Sequence, residues 1–326
     1  MVEKIPVGIL GGRGVLGEHY RALLEEHPWF ELVFCPSSAN LDKIKEASST
    51  CQLIFSALSN EQAYIYEERY ASAGLGVISS SSCHRDSPDV PVIIPEINPD
   101  HLKILEMQQQ KRGWSKGFIV CKPNCSIQSY LLPLTPLHEQ FQVKKVMVTM
   151  LQAISGAGYS TLPSYMIQDN IIPYIADEEE KSEREPLKIW GQIKNEQIQP
   201  LRDLTISAHC NRVPVLNGHL ACVSVEFTKK PSKKEILETW SSFEPLSLPS
   251  APKRPIIYRE EADRPQARLD RDSENGMAIT VGRVRPCPVL DYRFVGLSHN
   301  AIRGGAGGGI LIAEMIYAKK RQFCPA

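Results

Sequence analysis

The sequence predicts an α/β chain, with a parallel-sheet half at the N-terminus and an α+β half built on a mixed sheet. Three observations predict it. Short apolar runs alternate with helical spacing up to Cys121, a glycine-rich turn closes the first run, and longer strands of period two take over after Cys125. Alternation of strand and helix calls for a parallel sheet covered on both faces, whereas consecutive strands call for antiparallel or mixed pairing.

In order, Val7–Leu10, Leu32–Cys35, Leu53–Ala57, Val77–Ser79 and Phe118–Cys121 read as buried strands. Gly14–Glu26 and Glu61–Ala73 have helical spacing, and a third helix is expected after Pro99, with Leu102 and Leu105 on one face. Val143–Ile154 is a long strand that points Val146, Val148 and Met150 the same way. Leu204–Cys210, His219–Phe227, Met277–Arg285 and Tyr292–Ser298 follow as strands, and Ser232–Phe243 as a helix. The four prolines between Pro249 and Pro265 predict an ordered arm. Asp177–Glu185 reads as a solvated charge run, and Ile310–Arg321 as an amphipathic helix carrying Ile310, Met315 and Tyr317, with Lys319–Arg321 at its end.

Composition narrows the function. The chain has 326 residues, 42% of them apolar, and 37 basic side chains against 37 acidic ones. That balance gives no global field for nucleic acid or a membrane surface. The nine cysteines are scattered without a Cys-x-x-Cys pair, which points to reduced thiols and to no metal site. No basic-then-apolar leader opens the chain and no apolar run reaches about 20 residues. A cytoplasmic location is expected.

Val7-Gly8-Ile9-Leu10 runs into Gly11-Gly12-Arg13-Gly14-Val15-Leu16-Gly17. Glycines three apart between a strand and a helix suit a tight turn, a close backbone approach to pyrophosphate and close helix packing, so a Rossmann-type dinucleotide site is expected. Where an NAD site places an acid on the ribose, the chain has Ser37 and Ser38 with Lys43 nearby, which favours NADP.

Pro123-Asn124-Cys125-Ser126 lies where a strand ends and a helix is expected to begin. Free backbone N–H groups and a positive helix end there predict a thiol shifted below its ordinary value of about 8.5. With a dinucleotide site upstream, Cys125 becomes a candidate thioester-forming nucleophile.

These motifs, with Gln152-Ala153-Ile154-Ser155-Gly156-Ala157-Gly158-Tyr159, Asp169-Asn170-Ile171-Ile172-Pro173-Tyr174, Asn211-Arg212-Val213-Pro214-Val215 and His299-Asn300-Ala301-Ile302-Arg303-Gly304, give the chain its resemblance. It resembles the aspartate-semialdehyde dehydrogenase family, in its archaeal and fungal branch. The resemblance implies NADPH-dependent reductive dephosphorylation of L-aspartyl 4-phosphate through a cysteine thioacyl intermediate, on the route to lysine and diaminopimelate, threonine and methionine. It implies Cys125 as nucleophile, Gln152 orienting the acyl group and His219 as acid/base, an imidazole whose pKa lies near neutrality. It further implies Arg212 on the substrate α-carboxylate, Arg85 and Lys188 on phosphate, Glu185 near the amino group, and Asn124 beside the substrate. Gly156, Gly158 and Asn300 would seat the nicotinamide. His209 is the rival histidine, set aside because Arg212 precedes His219 by the family's seven residues.

The implied partners are the small-molecule substrate and inorganic phosphate, in a homodimer or homotetramer. The expected division is 1–123 with 300–326 for NADP and 124–299 for catalysis and dimerisation. N-acetylglutamyl-phosphate reductase is the nearest alternative and would carry Pro-Gly-Cys-Tyr at the nucleophile; a non-catalytic NADP-binding protein is the other. Three positions depart from the pattern: Lys122 where asparagine is usual, Ile127 for threonine, and Arg13 in the glycine loop.

Overall fold

The computed structural model describes residues 3–158 and 164–322. Tyr159, Cys324 and the side chains of Lys319–Arg321 lie outside the described residues. The chain starts with β1 (Ile5–Leu10), α1 (Val15–Leu24), β2 (Phe30–Phe34), α2 (Ile44–Thr50), β3 (Leu53–Ser56), α3 (Asn60–Ser72), β4 (Gly76–Ser79), α4 (Leu105–Arg112) and β5 (Phe118–Cys121). Its five strands form a parallel sheet ordered β2-β1-β3-β4-β5. Every residue of β3, β4 and β5 is buried, as strands covered on both faces must be. The strands end level, since Leu10 pairs with Ser56, Ser56 with Ser79 and Ser79 with Cys121. The glycine turn, the loop carrying Arg85 and the Cys125 loop therefore leave one edge of the sheet.

The rest of the chain runs α5 (Gln128–Phe141), β6 (Val143–Gln152), α6 (Ser164–Ile167), α7 (Glu178–Ile189), β7 (Gln192–Lys194), β8 (Gln197–Gln199), β9 (Thr205–Arg212) and β10 (His219–Phe227). It ends with α8 (Lys233–Ser241), β11 (Ile256–Arg259), α9 (Ala267–Asp270), β12 (Ile279–Pro286), β13 (Tyr292–Ser298) and α10 (Gly307–Gln322). Six of these strands make a mixed sheet ordered β11-β12-β13-β10-β6-β9. In β6 the buried residues include Val146, Val148 and Met150, the predicted face. Gln152 pairs with Arg212 across β6 and β9, and Leu151 with Leu220 across β6 and β10. Gln152, Arg212 and His219 are thereby gathered at one end of this sheet.

Several expectations are corrected. The charge run at Asp177–Glu185 is not a solvated face: α7 buries Ser182, Glu185 and Lys188. Over its described side chains, 307–318, α10 is not amphipathic but buried nearly all round, Leu311, Ile312 and Ala313 included. The proline-rich arm contains β11, paired parallel with β12, and the helix after Pro99 begins as a 3₁₀ turn. A helix was expected to begin near Cys125; α5 is that helix, and it runs on through Pro133 and Pro136. Its Leu131, Leu132, Leu134 and Leu137 are buried, and the Trp240 indole donates to the Pro133 carbonyl. Packing on all sides sustains a helix that two prolines weaken by several kcal/mol, roughly 3 each.

Candidate active site

At the head of the parallel sheet the glycine turn fits a dinucleotide. The order 2-1-3-4-5 has its switch point between β1 and β3, where such ligands sit. There Gly11, at φ +77°, lies so close to Ala57 that an added Cβ would stand 2.6 Å from the Ala57 carbonyl oxygen. At Gly17 an added Cβ would stand 2.2 Å from the Gly11 carbonyl oxygen, so α1 packs onto the turn. Gly14 caps α1 and is exposed with Arg13, Gly12 is buried, and Val15 and Leu16 are half-buried. Beyond β2, Ser37 is half-buried and Ser38 exposed, with no carboxylate between Cys35 and Asn40. Lys43 is paired with Glu46.

Cys125 meets His219 where the two sheets approach. Its Sγ lies 3.3 Å from His219 Nε2. The backbone N–H of Ala153 donates to His219 Nδ1 at 3.0 Å. Nδ1 is thus an acceptor, and the neutral imidazole carries its proton on Nε2, facing the sulfur. Burial, then Arg212 and His299, push His219 down to about 3, so it is not poised near neutrality as the sequence suggested. What this histidine offers is a hydrogen-bond donor to a thiolate or an oxyanion.

The predicted drop in the Cys125 pKa is also overturned. Desolvation first, then Glu178, push the thiol up, against Lys122, Arg85 and Arg212. Ser126 and Ile127 separate Cys125 from α5, so the helix end is not at the sulfur.

The His219 shift has a measurable consequence. Its folded value lies below the unfolded one of about 6.5, so the unfolded chain binds a proton that the folded chain does not. Stability rises with pH from about 3 to about 6.5 and levels off above. In urea titrations, His219→Gln should therefore lose stability less steeply than the parent between pH 7 and pH 5. Parallel slopes would show that His219 carries none of the dependence.

Around this pair the structure brings together most of the predicted residues. Arg212 donates from Nη1 to the Ala153 carbonyl at 2.7 Å and forms no ion pair among the described residues. Gly156 packs on both groups: an added Cβ would lie 3.0 Å from Arg212 Nη1 and 3.2 Å from His219 Nε2. Asn300 accepts from Gly218 N–H at 2.8 Å and donates to Ser155 Oγ at 2.9 Å. Gly158 is exposed beside them at φ +78°.

Arg85 is ion-paired with Glu185 (2.7 Å), and the other Glu185 oxygen accepts from Asn124 N–H (2.6 Å). Lys188 Nζ donates to the carbonyls of Arg85 and Ser87. Glu185 and Lys188 are thus buried parts of one network with the nucleophile loop. Asn124 Oδ1 accepts from the backbone N–H and hydroxyl of Ser126, fixing the turn at Cys125. His209 points away, its side chain 79% exposed.

Sequence reasoning missed Glu178. Its two oxygens accept from Asn124 Nδ2 (2.8 Å) and Gln152 Nε2 (2.9 Å), and it is felt electrostatically by both Cys125 and Arg212. As the first of three glutamates it carried no distinguishing signal.

Comparison with known proteins gives a family match to each half of the chain. Residues 6–105 match the family described as "Semialdehyde dehydrogenase, NAD binding domain" and residues 134–303 "Semialdehyde dehydrogenase, dimerisation domain". Aspartate-semialdehyde dehydrogenase of Archaeoglobus fulgidus is 41% identical, over 97% of this chain and 99% of that protein. The enzyme of Candida albicans is 38% identical over 96% of this chain and 98% of its own. A crystal structure of aspartate-semialdehyde dehydrogenase with NADP from Candida albicans superposes with a TM-score of 0.86 at 35% identity, covering 98% of this chain and 99% of that one. The chain belongs to the aspartate-semialdehyde dehydrogenase family.

Proposed function

We propose that the protein is an NADP-dependent aspartate-semialdehyde dehydrogenase that converts L-aspartyl 4-phosphate to L-aspartate 4-semialdehyde and phosphate, in lysine/diaminopimelate, threonine and methionine biosynthesis. The observation that carries this reading is Cys125 in contact with His219 Nε2, beside a dinucleotide turn and a buried set of cations. The Cys125 thiolate attacks the acyl carbon and phosphate leaves past Arg85 and Lys188, giving a thioester on sulfur. NADPH, when bound, supplies hydride to that carbon. His219 Nε2–H stabilises the resulting alkoxide by hydrogen bonding, and its collapse releases aldehyde and thiolate. Gln152 orients the acyl oxygen, and Arg212 grips the α-carboxylate through its two-pronged donor set.

For the α-ammonium group we favour Glu178 over Glu185. Both Glu185 oxygens are occupied by Arg85 and Asn124, whereas Glu178 is held only by two neutral amides and a lysine at 3.6 Å. Glu178→Gln should raise KM for the semialdehyde about tenfold with a smaller change in kcat, a loss of roughly 1.4 kcal/mol in binding. Equal KM values would return the ammonium to Glu185.

The reading extends to organisation: 1–123 with 300–326 forms the NADP domain, and 124–299 the catalytic and dimerisation domain. A second copy covers the face of the mixed sheet that exposes Met147, Cys222 and His209. The partners are the small-molecule substrate, inorganic phosphate and further copies of the chain, as a homodimer or homotetramer. No described helix is long and apolar enough to cross a membrane, and a cytoplasmic location is proposed. The testing assay is reduction of NADP by purified protein with aspartate semialdehyde, with and without phosphate. Turnover that needs phosphate supports the acyl-phosphate chemistry, and no turnover despite NADP binding overturns it.

A further inference from the structure

Lys122 is the departure from the family pattern whose burial is unusual. Its side chain is 4% exposed and forms no ion pair among the described residues. Instead Nζ donates to the carbonyls of Pro123 (3.1 Å) and Gly304 (2.6 Å). Its backbone N–H donates to the Ser79 carbonyl, so it starts the nucleophile loop at the very edge of the sheet. Gly304 in turn lies against the nucleophile, where an added Cβ would stand 2.7 Å from Cys125 Cβ. Gly304 belongs to the kinked segment Ile302–Ala306, and the next residue, Gly305, packs against Leu16 of the cofactor helix α1. One ammonium thereby joins the nucleophile loop to the turn that backs both Cys125 and the dinucleotide site.

Two carbonyls do not offset the cost of burying a full charge, which is several kcal/mol without a counter-ion. The charged and titratable groups felt by Lys122 are Arg85, Cys125, Glu185 and Cys121. Cys121 is fully buried and pushed up to about 12, so it stays neutral. Arg85 and Glu185 neutralise each other in a 2.7 Å pair. With Lys122 charged, these groups carry one net positive charge, which an ionised Cys125 cancels, while Glu178 and Arg212, of opposite sign, face the sulfur from the second domain.

We propose that Lys122 is a positioning residue for the nucleophile: its ammonium holds the Cys125 turn against Gly304 and supplies the counter-charge that lets the thiol ionise. Burial, then Arg85, lower the Lys122 ammonium to about 8, and Cys125, Glu185 and Cys121 each raise it. The proposal concerns the same site as the functional reading, but it can be tested without turnover.

The experiment is the pH dependence of Cys125 alkylation by iodoacetamide in the parent, Lys122→Gln and Lys122→Met, with Cys125→Ala as the blank for other thiols. Gln retains a donor for the carbonyls without the charge, and Met retains neither. Both variants should raise the apparent thiol pKa by about one unit, a tenfold loss of thiolate at neutral pH. Turnover should fall in parallel and recover on raising the pH. Unchanged thiol titration overturns the proposal, even where turnover falls. If neither variant folds, lysine side-chain NMR of the parent and Cys125→Ala reads the reciprocal effect. The Lys122 midpoint must drop when the thiol is removed, and an unmoved midpoint overturns the proposal. A parent enzyme inactive toward the semialdehyde, with these thiol shifts intact, would overturn only the substrate assignment.

Discussion

Cys125→Ala is expected to abolish the phosphate-dependent reduction of NADP, lowering kcat by at least about 10⁴-fold while NADP still binds. Loss of the sulfur removes the atom that carries the acyl group between phosphate departure and hydride addition. The neighbouring groups cannot substitute. His219 Nε2 presents a proton rather than a lone pair toward that position, and Arg85 and Lys188 are cations held in their own networks. NADP affinity should stay within about twofold by equilibrium titration, because the glycine turn lies on β1 and α1 while Cys125 follows β5. Normal turnover in this variant would remove the thioester mechanism altogether.

Arg212 carries the second large effect, and two substitutions separate its roles. Arg212→Lys should lower kcat/KM for the semialdehyde by about 10²-fold, chiefly through KM, since an ammonium cannot reproduce a bidentate grip. Arg212→Met should cost more, about 10³-fold, with kcat falling as well. The reason lies in the Ala153 peptide, whose carbonyl accepts from Arg212 and whose N–H holds His219 Nδ1. Removing the cation releases the peptide that sets the imidazole's tautomer. Steady-state kinetics of both variants decide this. An intact KM in the lysine variant would reassign the carboxylate site, and equal kcat losses in both would discard the peptide link.

The sequence disclosed those features that local pattern encodes. β1 with its glycine turn, the buried runs of β3 to β5, and the period-two face of β6 follow from side-chain alternation and turn chemistry. Cys125, Gln152, Arg212 and His219 stood out through ordered motifs, and the structure gathers them although Cys125 and His219 are 94 positions apart. What stayed hidden was governed by tertiary context. The length of α5, which runs on through two prolines, is sustained by packing on all sides. α7 buries polar residues, Ser182, Glu185 and Lys188, so no apolar stripe marks its inner face. The lowered thiol pKa failed because a helix end was weighed without the desolvation that only the folded site imposes. Glu178 could not be told from its neighbours, because its role depends on Asn124 and Gln152 facing it from two other elements.

The bond from Lys122 to Gly304 spans 182 positions, and the Arg303–Glu96 pair spans 207. Both tie the 302–306 segment back to the parallel-sheet half of the chain. Closing such long loops carries an entropy cost that rises only as the logarithm of their length, about 0.6 kcal/mol for each doubling. The two halves of the molecule are thus clasped beside the nucleophile, and a disturbance that parts them also unseats Cys125 from Gly304.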